Sequence, residues 1–338
     1  MEPNTDSEME REGATDRLED ATPSGRPHPG MVWIPGGTFT MGSENHYPEE
    51  APAHEVHVDG FWMDRTPVTT AEFREFVEET DYTTLAEREP NPDDYPGADP
   101  DDLVPGSAVF RQPDGPVDLR NPSNWWEYVS GANWRQPLGP DSNVGNDYVE
   151  SHAEYPVVHV AYEDAVAYAD WAGKELPTEA EHERASRGGL DGAEYAWGDE
   201  FVPDGEPMAN TWQGTFPYEN TEEDGYVRTS PVGAFPANGY GLYDTIGNVW
   251  EWTSDWFTAR HAEKAPKSCC TPTNPRGGTK ETSIDPRDPS RVPRRVLKGG
   301  SHLCAPNYCV RYRPAARYPE PVDTSTTHVG FRCVVRAD

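Results

Sequence analysis

Proline and glycine occur along the whole chain and limit it to short elements of secondary structure. The 338 residues include 35 prolines and 30 glycines, and few segments keep a helical or alternating period for long. Both residue types interrupt regular structure, because proline lacks a backbone donor and glycine favours turns. The hydrophobic content is only 34%, but aromatic residues make up 11% and can supply a core. We therefore expect an irregular α+β fold with few short helices and strands and much loop.

The N-terminal segment differs in composition from the rest of the chain. Residues 1–28 are polar and acidic and show no hydrophobic period, which is typical of a disordered tail. Residues 31–42 predict the first ordered elements, a strand, a turn and a second strand. No repeat of 20–50 residues is visible. We therefore expect a disordered acidic tail at residues 1–28 and one domain at residues 29–338.

Local patterns predict a small number of elements within this domain. Residues 69–72 and 178–181 have the Thr-x-x-Glu spacing of capping boxes, so each predicts the start of a helix. Residues 162–172 predict a third helix. Residues 156–160 predict a short buried strand, and residues 330–335 predict a strand that closes the core.

The net charge of −32 restricts the partners of the chain. It indicates either a solvated acidic surface or adaptation to high salt, where screening weakens self-repulsion. Such a surface repels phosphates, so we expect no nucleic-acid binding.

No apolar run reaches the roughly 20 residues that span a bilayer, and no secretory signal is visible. With an odd count of five cysteines, we expect a cytoplasmic monomer without a disulfide scaffold or membrane contact.

Two cysteines in a loop-like segment are the strongest candidates for chemistry. Cys304 and Cys309 lie within residues 298–314, with Ser301 before them and several arginines after. Two neighbouring thiols can hold one soft metal, form a reversible disulfide, or act as a nucleophile and its resolving partner. The residues alone leave these alternatives open.

Two further segments combine carboxylate and carboxamide side chains with glycine. Asn210 and Asp224 form one candidate pair, and Asp244 and Glu251 form another. Oxygen ligands of this kind suit a hard cation such as calcium. The same residue types also form ordinary turns, which is the commoner case.

Five stretches of the chain form a recognisable pattern in this order: residues 31–42, 177–181, 238–252, 298–317 and 330–333. Together they resemble the formylglycine-generating enzyme family, also called sulfatase-modifying factors. The resemblance implies the irregular fold of that family, which is similar to C-type lectins. It also implies a copper-dependent aerobic oxidase. Such an enzyme converts a cysteine in the Cys-x-Pro-x-Arg segment of a sulfatase to Cα-formylglycine, with molecular oxygen as co-substrate.

The resemblance also implies roles for particular residues. Cys304 and Cys309 match the ligands of Cu(I), Ser301 and Tyr308 match residues of an oxygen pocket, and Trp250 matches an aromatic wall beside it. Structural Ca²⁺ is implied at two sets of residues: Asn210, Thr211, Asp224 and Tyr226, and Asp244, Gly247, Val249 and Glu251. The implied partner is an unfolded or nascent sulfatase polypeptide.

The chain departs from animal members of the family at several positions. Ala169, Ser186 and Pro314 stand where those relatives have disulfide-bonded cysteines, which leaves Cys333 unpaired. His182 replaces a usual tryptophan, and His328 replaces a common asparagine near the implied substrate groove. The neighbouring Cys269 and Cys270 are read as reduced loop thiols in preference to a second metal site.

Other functions of the same fold remain as alternatives. An iron-dependent sulfoxide synthase would need a His-x-x-x-His-x-Glu motif, and none of the ten histidines has this spacing. A non-catalytic binding module would have no use for both thiols. A copper carrier would have no use for so large an aromatic domain.

Overall fold

The computed structural model describes residues 25–95, 97, 99, 101, 103–141, 148–261 and 271–337. The predicted tail lies outside the described residues except for its last four. The pair Cys269 and Cys270 also lies outside them. Among the described residues, no helix has both the length and the apolar character needed to cross a membrane.

Short strands and helices alternate with long irregular segments, which confirms the α+β class expected from the proline and glycine content. The strands are β1 (Met31–Ile34), β2 (Gly37–Met41), β3 (His54–Val58), β4 (Phe61–Asp64), β5 (Gly106–Phe110), β6 (Trp126–Ser130), β7 (Trp250–Trp256), β8 (Arg294–Lys298), β9 (Arg317–Pro321), β10 (Val329–Gly330) and β11 (Val334–Arg336). The helices are α1 (Thr70–Thr80), α2 (Tyr148–Ser151), α3 (Tyr162–Trp171), α4 (Glu179–Arg187) and α5 (Lys280–Ser283), with several single 3₁₀ turns.

The first and last strands meet in one sheet. Its order is β1-β4-β11, and both neighbours run antiparallel to β4. The predicted closing strand at residues 330–335 is therefore divided. Val329 and Gly330 pair in parallel with β7, whereas Val334 pairs with Met63 in the first sheet. The prediction of one continuous strand was wrong, because its two ends hydrogen-bond to different sheets.

A four-stranded sheet of order β10-β7-β8-β9 carries the segment with the two cysteines. Strands β8 and β9 are antiparallel neighbours, with Lys298 opposite Arg317. Residues 299–316 connect them and are called the thiol loop below. Because both ends of this loop leave adjacent strands, its position is fixed by the sheet.

The capping boxes start helices as predicted. The Thr69 hydroxyl accepts from the Glu72 amide, and the Glu72 carboxylate accepts from the Thr69 amide. Thr178 and Glu181 form the same pair at α4. Helix α1 buries Phe73 and Phe76 among other aromatic rings.

The predicted strand at residues 156–160 does not form, although all five residues are buried. Pro156 makes one isolated bridge with Thr69, and proline supplies no amide for a ladder. His159 has a φ of 60°, outside the extended region. The hydrophobic run reflected burial in the core and not strand pairing.

Within the described part of the chain, the buried apolar residues form three clusters, and the thiol loop contributes residues to two of them. The main cluster includes Phe73, Trp252 and both Cys304 and Cys309. Another joins Phe110 of β5 and nearby aromatic rings to Leu303 and Ala305 of the loop. The cysteines therefore lie where a well-packed core meets an aromatic wall.

Candidate active site: a thiol pair in an aromatic cavity

Cys304 and Cys309 lie side by side in the folded protein. Their Sγ atoms are 3.3 Å apart, and the side chains are only 2% and 8% exposed. This separation is longer than the roughly 2.05 Å of a disulfide, so both thiols are free. A pair of free sulfur atoms at this distance can approach one ligand together.

Hydrogen bonds within the thiol loop determine this arrangement. The amide of Cys304 donates to the carbonyl of Ser301, and the amide of Cys309 donates to the carbonyl of Ala305. Gly300, the second residue of the loop, has a φ of 73°, and a Cβ there would lie 2.8 Å from the carbonyl oxygen of Arg311. The glycine is therefore required by both conformation and space.

A turn from the N-terminal part of the chain braces the loop. Residues Pro48–Glu50 form a 3₁₀ turn, and both carboxylate oxygens of Glu50 accept from Arg313, at 2.8 and 2.6 Å. The hydroxyl of Tyr47 accepts from the amide of Val310. These contacts connect the loop to a segment outside its supporting sheet.

Arg311 places a positive charge beside the thiols. Its guanidinium lies 3.7 Å from the Sγ of Cys309 and 2.6 Å from a carboxylate oxygen of Glu49. A hydrogen bond from Cys304, together with this guanidinium, lowers the pKa of Cys309 to about 6 despite burial. Burial and the neighbouring Cys309 raise the pKa of Cys304 well above its usual value. Cys309 is therefore the thiol of the pair that loses its proton more readily.

All five residues predicted to take part in catalysis line one cavity of about 440 Å³. The full lining is Ala108, Pro122, Trp125, Trp126, Phe216, Trp250, Ser301, Leu303, Cys304, Tyr308, Cys309, Arg311, Tyr318, Glu320, Thr326 and His328. Tyr308 is 40% exposed, and its ring stacks on Phe216 at 4.4 Å between centroids. The thiols thus face an open cavity with an aromatic wall.

Some residues of this cavity were not singled out from the sequence. Trp125 and Phe216 come from distant loops, and Tyr318 and Glu320 come from β9. Their positions depend on long-range packing, and no local pattern marks them. His328, noted as a departure from the family, does line the cavity, and its ring lies 4.8 Å from that of Trp126.

The donor set of the cavity suits a soft, low-coordinate metal ion. Thiolates are the preferred ligands of Cu(I), and both sulfur atoms face the same space. A structural zinc site needs four ligands. Within the described residues, no group of three or more His, Cys, Asp or Glu side chains could hold a metal ion. A two-thiolate site leaves room for a third ligand from outside.

The first predicted calcium set is brought together around Asp224. Its carboxylate accepts from the amides of Thr211 and Tyr226, at 3.2 and 3.0 Å. Asn210 donates through Nδ2 to the carbonyl of Arg228, so its amide oxygen remains available. Burial raises the pKa of Asp224, and hydrogen bonds from Gln213, Tyr226 and Thr211 lower it. The Asp224 carboxylate and the Thr211 carbonyl are oxygen ligands of the kind that calcium prefers, and the side-chain nitrogen of Gln213 lies 3.0 and 2.5 Å from them.

The second predicted calcium set is more crowded. Burial, with a smaller contribution from Glu251, raises the pKa of Asp244 to about 6. Glu251 accepts from Arg332 through both oxygens at 2.7 Å, and from His182 at 2.9 Å. Arg332 thus already compensates the charge of Glu251, and His182 has a structural partner. Gly247 and Val249 lie between the two carboxylates in the chain.

Comparisons with known proteins identify the family to which the chain belongs. The fold and the site define a loop-rich α+β protein that presents two free thiols in an aromatic cavity. The sequence model of one protein family, the sulfatase-modifying factor enzyme 1-like domain, matches residues 17–337. The chain therefore belongs to the formylglycine-generating enzyme, or sulfatase-modifying factor, family.

Several curated relatives are similar over most of their length. The formylglycine-generating enzyme of Mycobacterium tuberculosis is 55% identical over 305 residues, which are 90% of this chain and 97% of that protein. That of Bos taurus is 44% identical over 320 residues, 93% of this chain and 77% of that protein. The inactive C-alpha-formylglycine-generating enzyme 2 of Mus musculus is 37% identical over 320 residues, 91% and 86% of the two chains.

Solved structures share the fold at low sequence identity. PvdO from Pseudomonas aeruginosa has a TM-score of 0.59 and 22% identity over 90% of this chain and 93% of that chain. Treponema denticola variable protein 1 has a TM-score of 0.55 and 16% identity, covering 94% and 100%. These similarities support the architecture alone.

Proposed function

We propose that this protein is a copper-dependent aerobic oxidase that converts a cysteine of a sulfatase polypeptide to Cα-formylglycine. The observation that carries the proposal is the pair of free thiols, 3.3 Å apart, in an open aromatic cavity. A relative that is 55% identical has the name formylglycine-generating enzyme. The proposed client is an unfolded or nascent chain with a Cys-x-Pro-x-Arg segment.

The thiols are proposed to hold the reactive centre. A cuprous ion bound by Cys304 and Cys309 would supply the site at which dioxygen accepts electrons and would leave a position for the client thiolate. Arg311 would stabilise the negative charge that collects on sulfur, since its guanidinium contacts Cys309. Trp250 and Ser301 line the same space and would limit access of water.

The aromatic wall is proposed to position the client. Tyr308, Phe216 and Trp125 offer adjoining ring faces and edges along one wall of the cavity. The client cysteine would lose a hydrogen from Cβ and its thiol proton, which amounts to two electrons and two protons. Dioxygen would accept these, and two further electrons and protons from an external thiol reductant would complete its reduction to two molecules of water. The resulting thioaldehyde reacts with water to give the aldehyde and hydrogen sulfide.

A test compares alanine variants of three buried cysteines. Reduced, copper-loaded protein is incubated in air with a Cys-x-Pro-x-Arg peptide, and the aldehyde is measured by mass spectrometry. Cys304→Ala and Cys309→Ala are expected to lose at least about a hundredfold in rate, since each removes a direct ligand. Cys333→Ala is the control, because Cys333 is buried away from the cavity. Aldehyde formation at the unaltered rate by either of the first two variants would refute the assignment.

Copper binding is tested separately from activity. Cuprous ion is titrated against a competing chelator into protein that carries Cys269→Ala and Cys270→Ala, so that the thiols of Cys269 and Cys270 do not contribute. One ion per chain is expected, and Cys304→Ala should abolish it. Tight binding without any aldehyde would favour a copper carrier or an inactive member of the family, such as the relative of that name.

A further inference from the structure

Glu320 is a half-buried carboxylate on the wall of the thiol cavity, and the oxidase chemistry has no use for it. It lies on β9 two residues after Tyr318, so both side chains project from the same face of the strand. Both line the cavity. Burial raises the pKa of Glu320 to about 7, with a further contribution from Asp323.

No cation compensates this carboxylate within the described part of the chain. Its cross-strand neighbour Arg295 lies 3.3 Å over the ring of Trp256 and donates to a backbone carbonyl instead. Arg311, which also lines the cavity, is bound to Glu49. The hydroxyl of Thr324 is the polar side chain that interacts with Glu320.

An uncompensated carboxylate away from water lowers stability, and a bound cation removes that cost. The position of the Glu320 carboxylate lowers the stability of the folded protein, so a binding role explains it and a structural role does not. A ligand that brings a guanidinium or ammonium group to Glu320 would gain a charge-assisted hydrogen bond in a partly desolvated site.

Glu320 lies farther from the thiols than Arg311 and Tyr318 do, in the order Cys309, Arg311, Tyr318 and Glu320. Arg311 contacts Cys309, and its guanidinium lies 5.2 Å from the ring centroid of Tyr318. Glu320 is one strand repeat, about 6.6 Å, beyond Tyr318. An extended peptide covers about 13 Å between a residue and the fourth one after it. A peptide whose cysteine lies at the thiols could thus place a cationic side chain near Glu320.

We infer that Glu320 is a specificity residue, which binds the cationic side chain of the client segment while the client cysteine lies at the thiol pair. The inference rests on the proposed function for the identity of that cation, the arginine of Cys-x-Pro-x-Arg. Asp323, whose carboxylate accepts from Tyr95, adds negative charge beside the site. Glu320 does not contact the sulfur atoms, so it affects binding and not the chemical step.

Binding is measured first, without reaction. Fluorescent peptides carry serine in place of the client cysteine and arginine, glutamine or glutamate at the cationic position, and reduced metal-free protein is titrated by anisotropy. The native protein is expected to prefer the arginine peptide over the glutamine peptide by about tenfold or more. In Glu320→Gln this preference should fall to about twofold or less. Glu55→Gln is the control, since Glu55 is exposed on β3 and makes the same change of net charge.

A charge reversal tests the pairing directly. Glu320→Arg should prefer the glutamate peptide over the arginine peptide, because attraction and repulsion exchange places. With copper and air, Glu320→Gln should raise KM for the arginine peptide and leave kcat within about twofold.

The inference is overturned if Glu320→Gln keeps the full preference for arginine, or if it weakens all three peptides equally. It is also overturned if kcat falls while KM stays constant. Failure of the proposed function gives a different result: the native protein then forms no aldehyde from any cysteine peptide, although its charge preference in the binding assay depends on Glu320.

Discussion

Glu50 shows how much of the site depends on one ion pair far from it in sequence. It is 0% exposed, and its partner Arg313 is 2% exposed. The pair joins the turn Pro48–Glu50 to the thiol loop, four residues after Cys309. Removing one partner from such a pair leaves a buried charge without compensation.

We predict that Glu50→Gln lowers the free energy of unfolding by about 3 kcal/mol or more. The melting temperature should fall by roughly 4 °C or more, as measured by calorimetry. The exposed Glu55→Gln should change it by about 1 °C or less. The double variant Glu50→Leu with Arg313→Met should recover much of the loss, because neither charge then remains buried. A melting temperature of Glu50→Gln equal to that of the native protein contradicts the prediction.

At this scale, the sequence indicated the chemistry but not its supporting contacts. Cys304, Cys309 and Tyr308 were recognisable because they lie within one short motif. Glu50 and Glu320 were not, because their roles depend on partners brought close by folding. A carboxylate on an exposed loop and one in a buried ion pair look identical in a single sequence.

In the loops around Asp224 and Asp244, the compensation of buried charge concerns whole segments of the chain. Residues 210–226 and 244–249 form no helix or strand, yet Asn210, Thr211 and Asp244 are buried. Carboxylates that are buried without cations disfavour the folded state. Bound calcium would reverse this effect and connect parts of the loop that lack regular hydrogen bonds.

We predict that removing calcium with a chelator lowers the melting temperature. A ligand that binds only the folded state at 100 times its Kd stabilises by about 2.7 kcal/mol, so a shift of several degrees is expected. Asp224→Asn should reduce the dependence on calcium. Asp118→Asn should not, because Asp118 is an exposed loop residue paired with Arg120. Identical melting curves with calcium and with chelator would show that these segments are ordinary turns.

Local sequence predicted elements well where a local interaction determines them. The capping boxes at Thr69 and Thr178 gave correct helix starts, since both partners lie within one turn. Residues 156–160 form no strand, and residues 330–335 are divided between two strands and do not form a continuous one. Burial was correct in both, but strand pairing depends on a distant partner that a hydrophobic run does not identify.

The net charge of −32 is a property of the whole molecule. Salt acts differently on the repulsion between exposed charges and on the attraction within buried ion pairs. Repulsion between exposed carboxylates extends over the Debye length, about 10 Å at 0.1 M salt and about 3 Å at 1 M. The favourable ion pairs of the core are mostly inaccessible to salt. Lys298 with Glu183 and Arg317 with Glu179 are almost completely buried. Screening should therefore remove more repulsion than attraction.

We predict that potassium chloride raises the melting temperature between 0.1 M and 1 M and that most of the rise occurs below about 0.5 M, where the Debye length changes fastest. Salting-out of apolar surface has a different signature, since it continues to increase at higher concentration. Calorimetry across this range distinguishes the two, and sucrose serves as an uncharged control. A melting temperature that falls with potassium chloride would mean that exposed ion pairs such as Arg74 with Glu150 outweigh the repulsion. In that case the acidic surface would not be an adaptation to high salt.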